Sequence, residues 1–256
     1  MNIFKQLYKS LYSPKDIALF RFQGIGKTIL YVFFLTLLSL LPAIYYLSSG
    51  VVTGLDAIQN SIENELPSFQ ITNGELQSDE KAPIIINKDG FTINFDSTGT
   101  VTIDDLSKNN EAIAILKNEA YFIANGQVQS FPYSIVKEVS ITNDDVLSFF
   151  QSIDSSLVII IPIMIAIIYV LTLGLNFIQI SVLALLGLVL TKMLTRNIQY
   201  QHLWRISAYS VTLPTIFFTI MEGLKTAVPS GALINWFVAF IVLFLAIKEI
   251  PLPKKR

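Results

Sequence analysis

The 256-residue chain is 52% hydrophobic and only 14% charged, whereas about 25% of the residues in a soluble domain are charged. It contains no cysteine, which excludes structural disulfides and Cys-ligated metal sites. The net charge of −1 hides a strong segregation: residues 50–152 carry fifteen Asp and Glu against five Lys, while short basic segments flank the apolar runs. This distribution is typical of membrane topology and excludes nucleic-acid binding, which needs a basic face on a folded domain.

Residues 1–27 are predicted to be an amphipathic segment on the cytoplasmic face of a membrane. Apolar residues recur at helical spacing from Ile3 to Leu11, and Pro14 breaks the pattern. Basic side chains beside them are expected at the level of the lipid headgroups. These anchors are Lys5, Lys9, Arg21 and Lys27. The alternative is a frayed cytoplasmic tail.

Residues 28–52 are predicted to form the first membrane span, with Pro42 as the site of a kink. An extracytoplasmic domain is predicted to follow over residues 53–154. Apolar 3/4 spacing continues past the span and predicts a helix over 53–66, which Pro67 ends. The rest of the domain is predicted as a β core over 67–141 and a helix over 143–153 that leads into the next span.

The β core is predicted from a change in hydrophobic period from the helical value to two. Phe91–Phe95 alternates, and Asn125-Gly126 is a strong hairpin signal. Val101 with Ile103, and residues 134–141, are further predicted strands. The alternating polar residues from Asp96 to Asp104 do not form a calcium loop, because Val101 stands where an EF-hand needs glycine. We interpret them as a solvated strand face with turn residues, and we predict no metal site.

Residues 155–191 contain no ionisable side chain. As one helix this run is about 55 Å long, nearly twice the ~30 Å hydrocarbon core of a bilayer. Either the second span is bent or extends past the membrane, which gives four spans, or the run turns back near Gly174 as a hairpin, which gives five. The positive-inside rule favours four, because the short basic segments then all lie in the cytoplasm. The length of the run favours five spans, but we predict four.

The C-terminal part is predicted as a basic loop over 192–205, spans over 206–224 and 232–248, and a basic tail over 249–256. The membrane-interface anchors in these segments are Lys192, Arg196, Trp204, Arg205, Lys254, Lys255 and Arg256. With four spans, both the loop and the tail are cytoplasmic.

Asn176 and Gln179 lie three residues apart inside the long apolar run and therefore share one helix face. Intramembrane polar groups usually face the bundle interior, where they hydrogen-bond between helices or line a cavity. The pattern favours interhelical hydrogen bonding, with a substrate site as the alternative. His202 is the only histidine and has no acidic residue near it in the sequence. We therefore predict no catalytic residue and no cofactor, and we interpret the protein as not an enzyme.

Four segments resemble a family of bacterial membrane proteins, mostly from Firmicutes, catalogued as domain of unknown function 1189. They are LYSPKDIALFRFQGIGKTILYVF, LPSFQITNGEL, INFDSTG and LWRISAYSVTLPTIF. The resemblance covers essentially the full length and implies a membrane protein with one large extracytoplasmic insertion after the first span. Some members carry the label of maltodextrin utilisation proteins, which implies an accessory role beside a sugar transporter. The bundle is also loosely similar to the Yip-type membrane proteins, usually drawn with five spans. No catalytic residues are defined for the family.

The predicted fold class is an α-helical polytopic membrane protein with an inserted small, mainly antiparallel β domain. The predicted function is a non-enzymatic accessory or sensing subunit of the bacterial cell membrane, with a cytoplasmic N-terminus. Its expected partners are the lipid bilayer and another membrane protein, or further copies of itself, and the residues indicate no ligand. The alternative is a small-solute channel or transporter that uses the face of Asn176 and Gln179.

Overall fold

The computed structural model describes residues 1–88, 91–106, 111–124 and 126–252. The chain folds into two compact units. Met1–Ser48 and Ile161–Arg256 form the helical unit, and Ser49–Ile160 form the β unit. The predicted combination of a helical protein with a small inserted β domain is confirmed.

The described helices, in chain order, are α1 (Ile3–Tyr12), α2 (Pro14–Leu19), α3 (Ile25–Ser39), α4 (Leu41–Asn64), α5 (Ile103–Leu106), α6 (Asn143–Met193), α7 (Tyr200–Ser210), α8 (Thr212–Gly223) and α9 (Gly231–Lys248). A 3-10 turn over Phe20–Phe22 follows α2, and another occupies Tyr133–Val136. Within the described residues, three helical stretches are long and apolar enough to cross a membrane: Ile25–Asn64, Asn143–Met193 and Gly231–Lys248.

Two predicted spans are interrupted near prolines. The first is divided at Leu40 between α3 and α4, two residues before Pro42, where the sequence predicts a kink. The single helix predicted over 206–224 is replaced by α7 and α8, which meet at Val211. Pro214 has no N–H to donate to the carbonyl of Ser210, so the helical ladder is broken there.

The long apolar run lies in one unbroken helix. α6 extends over 51 residues and continues through Gly174 and Asn176, so the structure does not contain the hairpin considered for this run. The helix predicted over 143–153 is the first part of the same element. At 1.5 Å per residue, α6 is about 75 Å long.

The β unit contains two sheets. Its described strands are β1 (Phe69–Thr72), β2 (Glu75–Ser78), β3 (Ile84–Lys88), β4 (Phe91–Asp96), β5 (Glu111–Leu116), β6 (Glu119–Ala124), β7 (Gln127–Pro132) and β8 (Ile141–Thr142). The smaller sheet has the order β2-β1-β8 and is antiparallel. The larger has the order β3-β4-β5-β6-β7 and is antiparallel except for the parallel pair β4 and β5. The expectation of a mainly antiparallel core is thus met, with one parallel exception.

Local signals explain several connections. Asn73 and Gly74 both have positive φ, as a two-residue hairpin turn between β1 and β2 requires. The predicted β6–β7 hairpin forms with Ala124 paired to Gln127, although Asn125 itself lies outside the described residues. The strand predicted around Val101 and Ile103 is wrong, because Ile103 begins α5. The strand predicted over 134–141 is largely replaced by the second 3-10 turn, and only Ile141 joins β8.

The larger sheet has an apolar cluster on each face. Ala112, Ala114 and Ile123 face α5 and are nearly fully buried there with Leu106. Successive strand residues point to opposite faces, so Ile115 and Ala120 belong to the other cluster. That second cluster includes residues of α4 and α6 in addition to those of the strands.

Candidate functional site

The two polar residues singled out in the long apolar run contact different helices. The Asn176 side-chain amide donates to Thr36 Oγ1 of α3 at 2.8 Å. The Gln179 amide donates to Asn235 Oδ1 of α9 at 2.7 Å. Both side chains are half-buried, and each links α6 to another helix of the helical unit. The geometry fits interhelical hydrogen bonding, the favoured interpretation of this pair.

A recess of about 640 Å³ lies beside the Gln179–Asn235 pair, between α6, α8 and α9. Glu222 and Lys225 contribute charged groups to it, and Trp236 contributes an indole ring. The backbone N–H of Lys225 donates to the carbonyl of Glu222 at 2.9 Å. The Lys225 ammonium lies 4.7 Å from the centre of the Tyr46 ring. This recess contains Gln179 but not Asn176, so it uses half of the predicted polar face.

The predicted basic anchors bring the three basic segments together. Arg205 Nη1 donates to the carbonyl of Arg21 at 2.8 Å, and His202 Nδ1 lies 2.8 Å from the same oxygen. Arg196 Nη2 donates to the carbonyl of Lys248 at 3.1 Å. The N-terminal segment, the loop 192–205 and the end of α9 therefore lie at one end of the helical unit.

The remaining anchors differ in their surroundings. Lys9 forms an ion pair with Asp16. The hydrogen bond that Lys9 donates in this pair, together with a second from the Ser13 side chain, lowers the pKa of the Asp16 carboxyl below its ordinary value. Trp204 donates its indole N–H to Ser181 Oγ at 3.2 Å and stacks on Phe177, so it packs on α6. Lys5, Lys27 and Lys192 are exposed. Lys254, Lys255 and Arg256 lie outside the described residues.

A buried polar cluster that the sequence did not predict joins α1 to the rest of the helical unit. Tyr209 Oη donates to Gln6 Oε1 at 2.9 Å and approaches Gln23 Oε1 at 3.1 Å. Tyr31 Oη lies 2.6 Å from Thr212 Oγ1, and its ring contacts that of Tyr209. A sequence signal for this cluster was available, because Gln6 and Ser10 are four residues apart and therefore share one helix face. That face is buried, and the opposite face of α1 carries an exposed aromatic stripe. The stripe consists of Phe4, Tyr8 and Tyr12.

The residues considered as a calcium pattern form a turn around one carboxylate. Asp96 is fully buried, and its oxygens accept from Thr98 N at 2.8 Å, Thr98 Oγ1 at 2.6 Å and Val101 N at 2.7 Å. Burial raises the pKa of this carboxyl, but the hydrogen bonds from Thr98, Val101 and Thr100 outweigh it and hold the pKa below its ordinary value. In the part of the chain that the structure describes, no group of three or more His, Cys, Asp or Glu could hold a metal ion.

The β unit contains a partly enclosed cavity of about 580 Å³. Its lining includes Ile58 and Ile62 of α4, Val146, Phe149 and Phe150 of α6, Phe69 and Ile71 of β1, and one face of the larger sheet. Every described residue in this lining is aliphatic or aromatic, and among these residues only Tyr133 carries a hydroxyl. Such a volume lies within the roughly 300–1,000 Å³ that is typical of ligand pockets.

These features define a predominantly helical protein with an inserted β unit and three helical stretches whose length and composition suit membrane crossing. The chain belongs to the family described as Protein of unknown function (DUF1189), whose model matches residues 4–247. No curated protein and no solved structure matches the chain.

Proposed function

We propose that the protein is a non-enzymatic, multi-pass protein of the bacterial cell membrane, and that it works as an accessory or sensing subunit. In this proposal the β unit lies outside the cytoplasm and recognises a ligand or a partner. The helical unit contacts another membrane protein. A sugar transporter is the partner that the family resemblance suggests.

The observation that carries the proposal is the shared core of the β unit and its two flanking helices. Ile58 and Ile62 of α4, and Val146 and Phe150 of α6, pack into the same cluster as the strand residue Phe95. Each of these helices continues into one of the three stretches with span composition. Anything that alters the packing of this core therefore acts directly on both helices, which is what a sensing subunit requires.

The contacts between basic segments support a topology of four crossings: α3 with the start of α4, α6, α7 with α8, and α9. The Arg205–Arg21 and Arg196–Lys248 bonds bring all three short basic segments to one end of the helical unit. The positive-inside rule assigns that end to the cytoplasm. Tyr46 Oη donates to the carbonyl of Gly223 at 2.6 Å, so the end of the first crossing meets the end of α8 on the opposite side. The β unit then follows outside the cytoplasm.

The proposed number of membrane crossings supports an interaction with a partner protein inside the membrane. Anchoring a domain outside the cytoplasm needs one span, so the additional helices have another use. Between transmembrane helices, close packing and hydrogen bonds drive association. In an accessory role, a second membrane protein is the partner that such helices would contact, and a further copy of this chain is the alternative.

Replacement of residues 67–141 by a flexible Gly/Ser linker tests the proposal. We expect the variant to enter the membrane, because the helical unit has its own buried core, and to lose its partner or its cellular phenotype. Insertion is checked by alkaline extraction of membranes. An insertion-competent variant with an unchanged partner and phenotype would refute a recognition role for the β unit.

The recess beside Gln179 favours one second candidate function, a small-solute channel or transporter. Its polar groups are the Gln179–Asn235 pair, Glu222 and Lys225. The double change Asn176→Leu and Gln179→Leu should then abolish solute flux into liposomes that contain only this protein. If the unmodified protein gives no flux above empty liposomes, this function is eliminated.

A further inference from the structure

The cavity of the β unit has the chemistry of a site for a hydrocarbon chain. The strand residues Ile93, Ile113 and Ile115 belong to its sheet side, and α4 and α6 line it from other sides. Protein interiors normally leave few voids larger than a water molecule, whereas this space is about 580 Å³. A partly enclosed space of that size suits an occupant of matching chemistry.

Water and sugars do not match. A buried water needs two to four polar partners, and sugar hydroxyls need at least as many. The described lining residues offer aliphatic and aromatic carbon, and the one hydroxyl among them, that of Tyr133, does not reach the cavity surface. A maltodextrin is therefore excluded as the ligand of this cavity, even where the partner of the protein is a sugar transporter.

Tyr133 brings only its ring to the surface of the cavity. It is 6% exposed, and its hydroxyl has no hydrogen-bond partner among the described residues. The hydroxyl oxygen is itself buried, so the surface that the described lining residues present to the cavity is apolar throughout, which suits a hydrocarbon chain.

The open side of the cavity is marked by aromatic side chains that line it and also reach solvent. Phe122, Phe131 and Phe149 are 50%, 53% and 61% exposed. Exposed apolar surface of this kind is typical of a ligand entrance. A chain can enter there while its polar headgroup stays outside.

We propose that this cavity binds the hydrocarbon chain of a membrane lipid, either a phospholipid or a free fatty acid. The proposal rests on the function proposed above, because a β unit held at the membrane by α4 and α6 has lipid as its nearest abundant source of such chains. It names the ligand that the sensing subunit detects. A bound hydrocarbon chain would hold the lining residues of α4 and α6 apart, and its release would let them come together. The separation of the two helices would then report whether lipid is bound.

Photocrosslinking of the full-length protein tests the proposal. The protein is reconstituted in vesicles of phosphatidylethanolamine and phosphatidylglycerol that contain a phosphatidylglycerol with a diazirine at the end of one chain. A second set of vesicles contains a diazirine fatty acid instead. After illumination, mass spectrometry maps the adducts. We expect adducts on the sheet residues Ile113, Ile115 and Phe122 in at least one set, in addition to the adducts that lipid-facing helices give in any case.

Two alanines on the same face of β6 provide a matched pair of variants. Ala120 lines the cavity, while Ala124 lies at the strand end and does not. Ala120→Phe should abolish the sheet adducts, and Ala124→Phe should leave them at the level of the unmodified protein. Where Ala120→Phe fails to fold, competition by unlabelled lipid in the unmodified protein replaces it, and this should reduce the sheet adducts selectively.

The absence of sheet adducts in the unmodified protein, with normal helix adducts, would overturn the proposal. Equal sheet labelling in Ala120→Phe and Ala124→Phe would also do so. Failure here is distinguishable from failure of the accessory function. A protein that keeps its partner but gives no sheet adducts loses only the lipid ligand, whereas one that labels in the sheet but has no partner loses only the accessory role.

Discussion

At the scale of single residues, the informative side chains are polar groups that have found specific partners. Asn176 and Gln179 bind Thr36 and Asn235 on separate helices, so both amides are used for packing within the helical unit. Asp96 is used in the same way within the β unit, where it organises the turn after β4. In both units, a polar residue that the sequence marks as a candidate ligand is first of all a structural hydrogen-bonding group.

The turn at Asp96 gives a prediction on stability. Asp96→Ala removes a buried carboxylate that accepts several hydrogen bonds, so we expect a loss on the order of 2 kcal/mol in the free energy of opening β4. Amide hydrogen exchange of the β4 residues in detergent measures this loss. Asp79→Ala, at an exposed position, is the control and should change the value by less than about 0.5 kcal/mol. Equal effects of the two changes would contradict the role assigned to Asp96.

The same carboxylate predicts a pH dependence. Its folded pKa lies below the ordinary value of 3.8, so its stabilising contribution is complete above that value and is lost as the pH falls through the folded pKa. Exchange of β4 should therefore be as protected at pH 5 as at neutral pH, after correction for intrinsic rates. Loss of protection already near pH 5 would show that the carboxylate is not held by these bonds.

At the scale of elements, the unexpected feature is the way α1 is attached. Its buried face is polar, through Gln6 and Ser10, while Phe4 and Tyr8 are exposed. An exposed aromatic stripe with inward polar groups suits a helix that packs on a helical bundle and presents its aromatic face to lipid. The interfacial position of this segment stays a prediction, and the structure adds a specific hydrogen-bonded attachment through Gln6.

The attachment of α1 is tested by Tyr209→Phe. The change removes the hydroxyl that donates to Gln6 and leaves a buried acceptor unpaired, which costs about 1–3 kcal/mol. Trypsin should then cut at Lys5 or Lys9 about tenfold faster for each 1.4 kcal/mol lost. Tyr200→Phe alters a tyrosine that is 39% exposed and serves as the control. Cleavage rates that are equal in the two variants would mean that the cluster does not hold α1.

The sequence predicted helices and strands well where one pattern extends over many residues. The apolar run of α6, the alternation in β4 and the break near Pro42 are local signals, and all three appear in the structure. Prediction from the sequence failed where contacts between residues far apart in the chain determine the structure. The pairing of Tyr209 with Gln6 joins residues far apart in the chain, and the cavity depends on how α4 and α6 pack on the sheet. No local pattern encodes either.

At the scale of the whole molecule, the proposed topology of four crossings makes a direct prediction. A cysteine added after Arg256 should not react with a membrane-impermeant thiol reagent in intact cells, because this topology places the tail in the cytoplasm. The native chain has no cysteine to interfere. Glu80→Cys, at an exposed position of the β unit, should react under the same conditions. Reaction of the C-terminal cysteine in intact cells would contradict four crossings.

The central claim is that the protein acts beside another membrane protein, and one measurement tests it most directly. The tagged full-length protein is purified from its native membrane in mild detergent, and all proteins recovered with it are quantified by mass spectrometry. We predict a second membrane protein in a fixed stoichiometric ratio. Recovery of the protein alone, or only with further copies of itself, would contradict the accessory role.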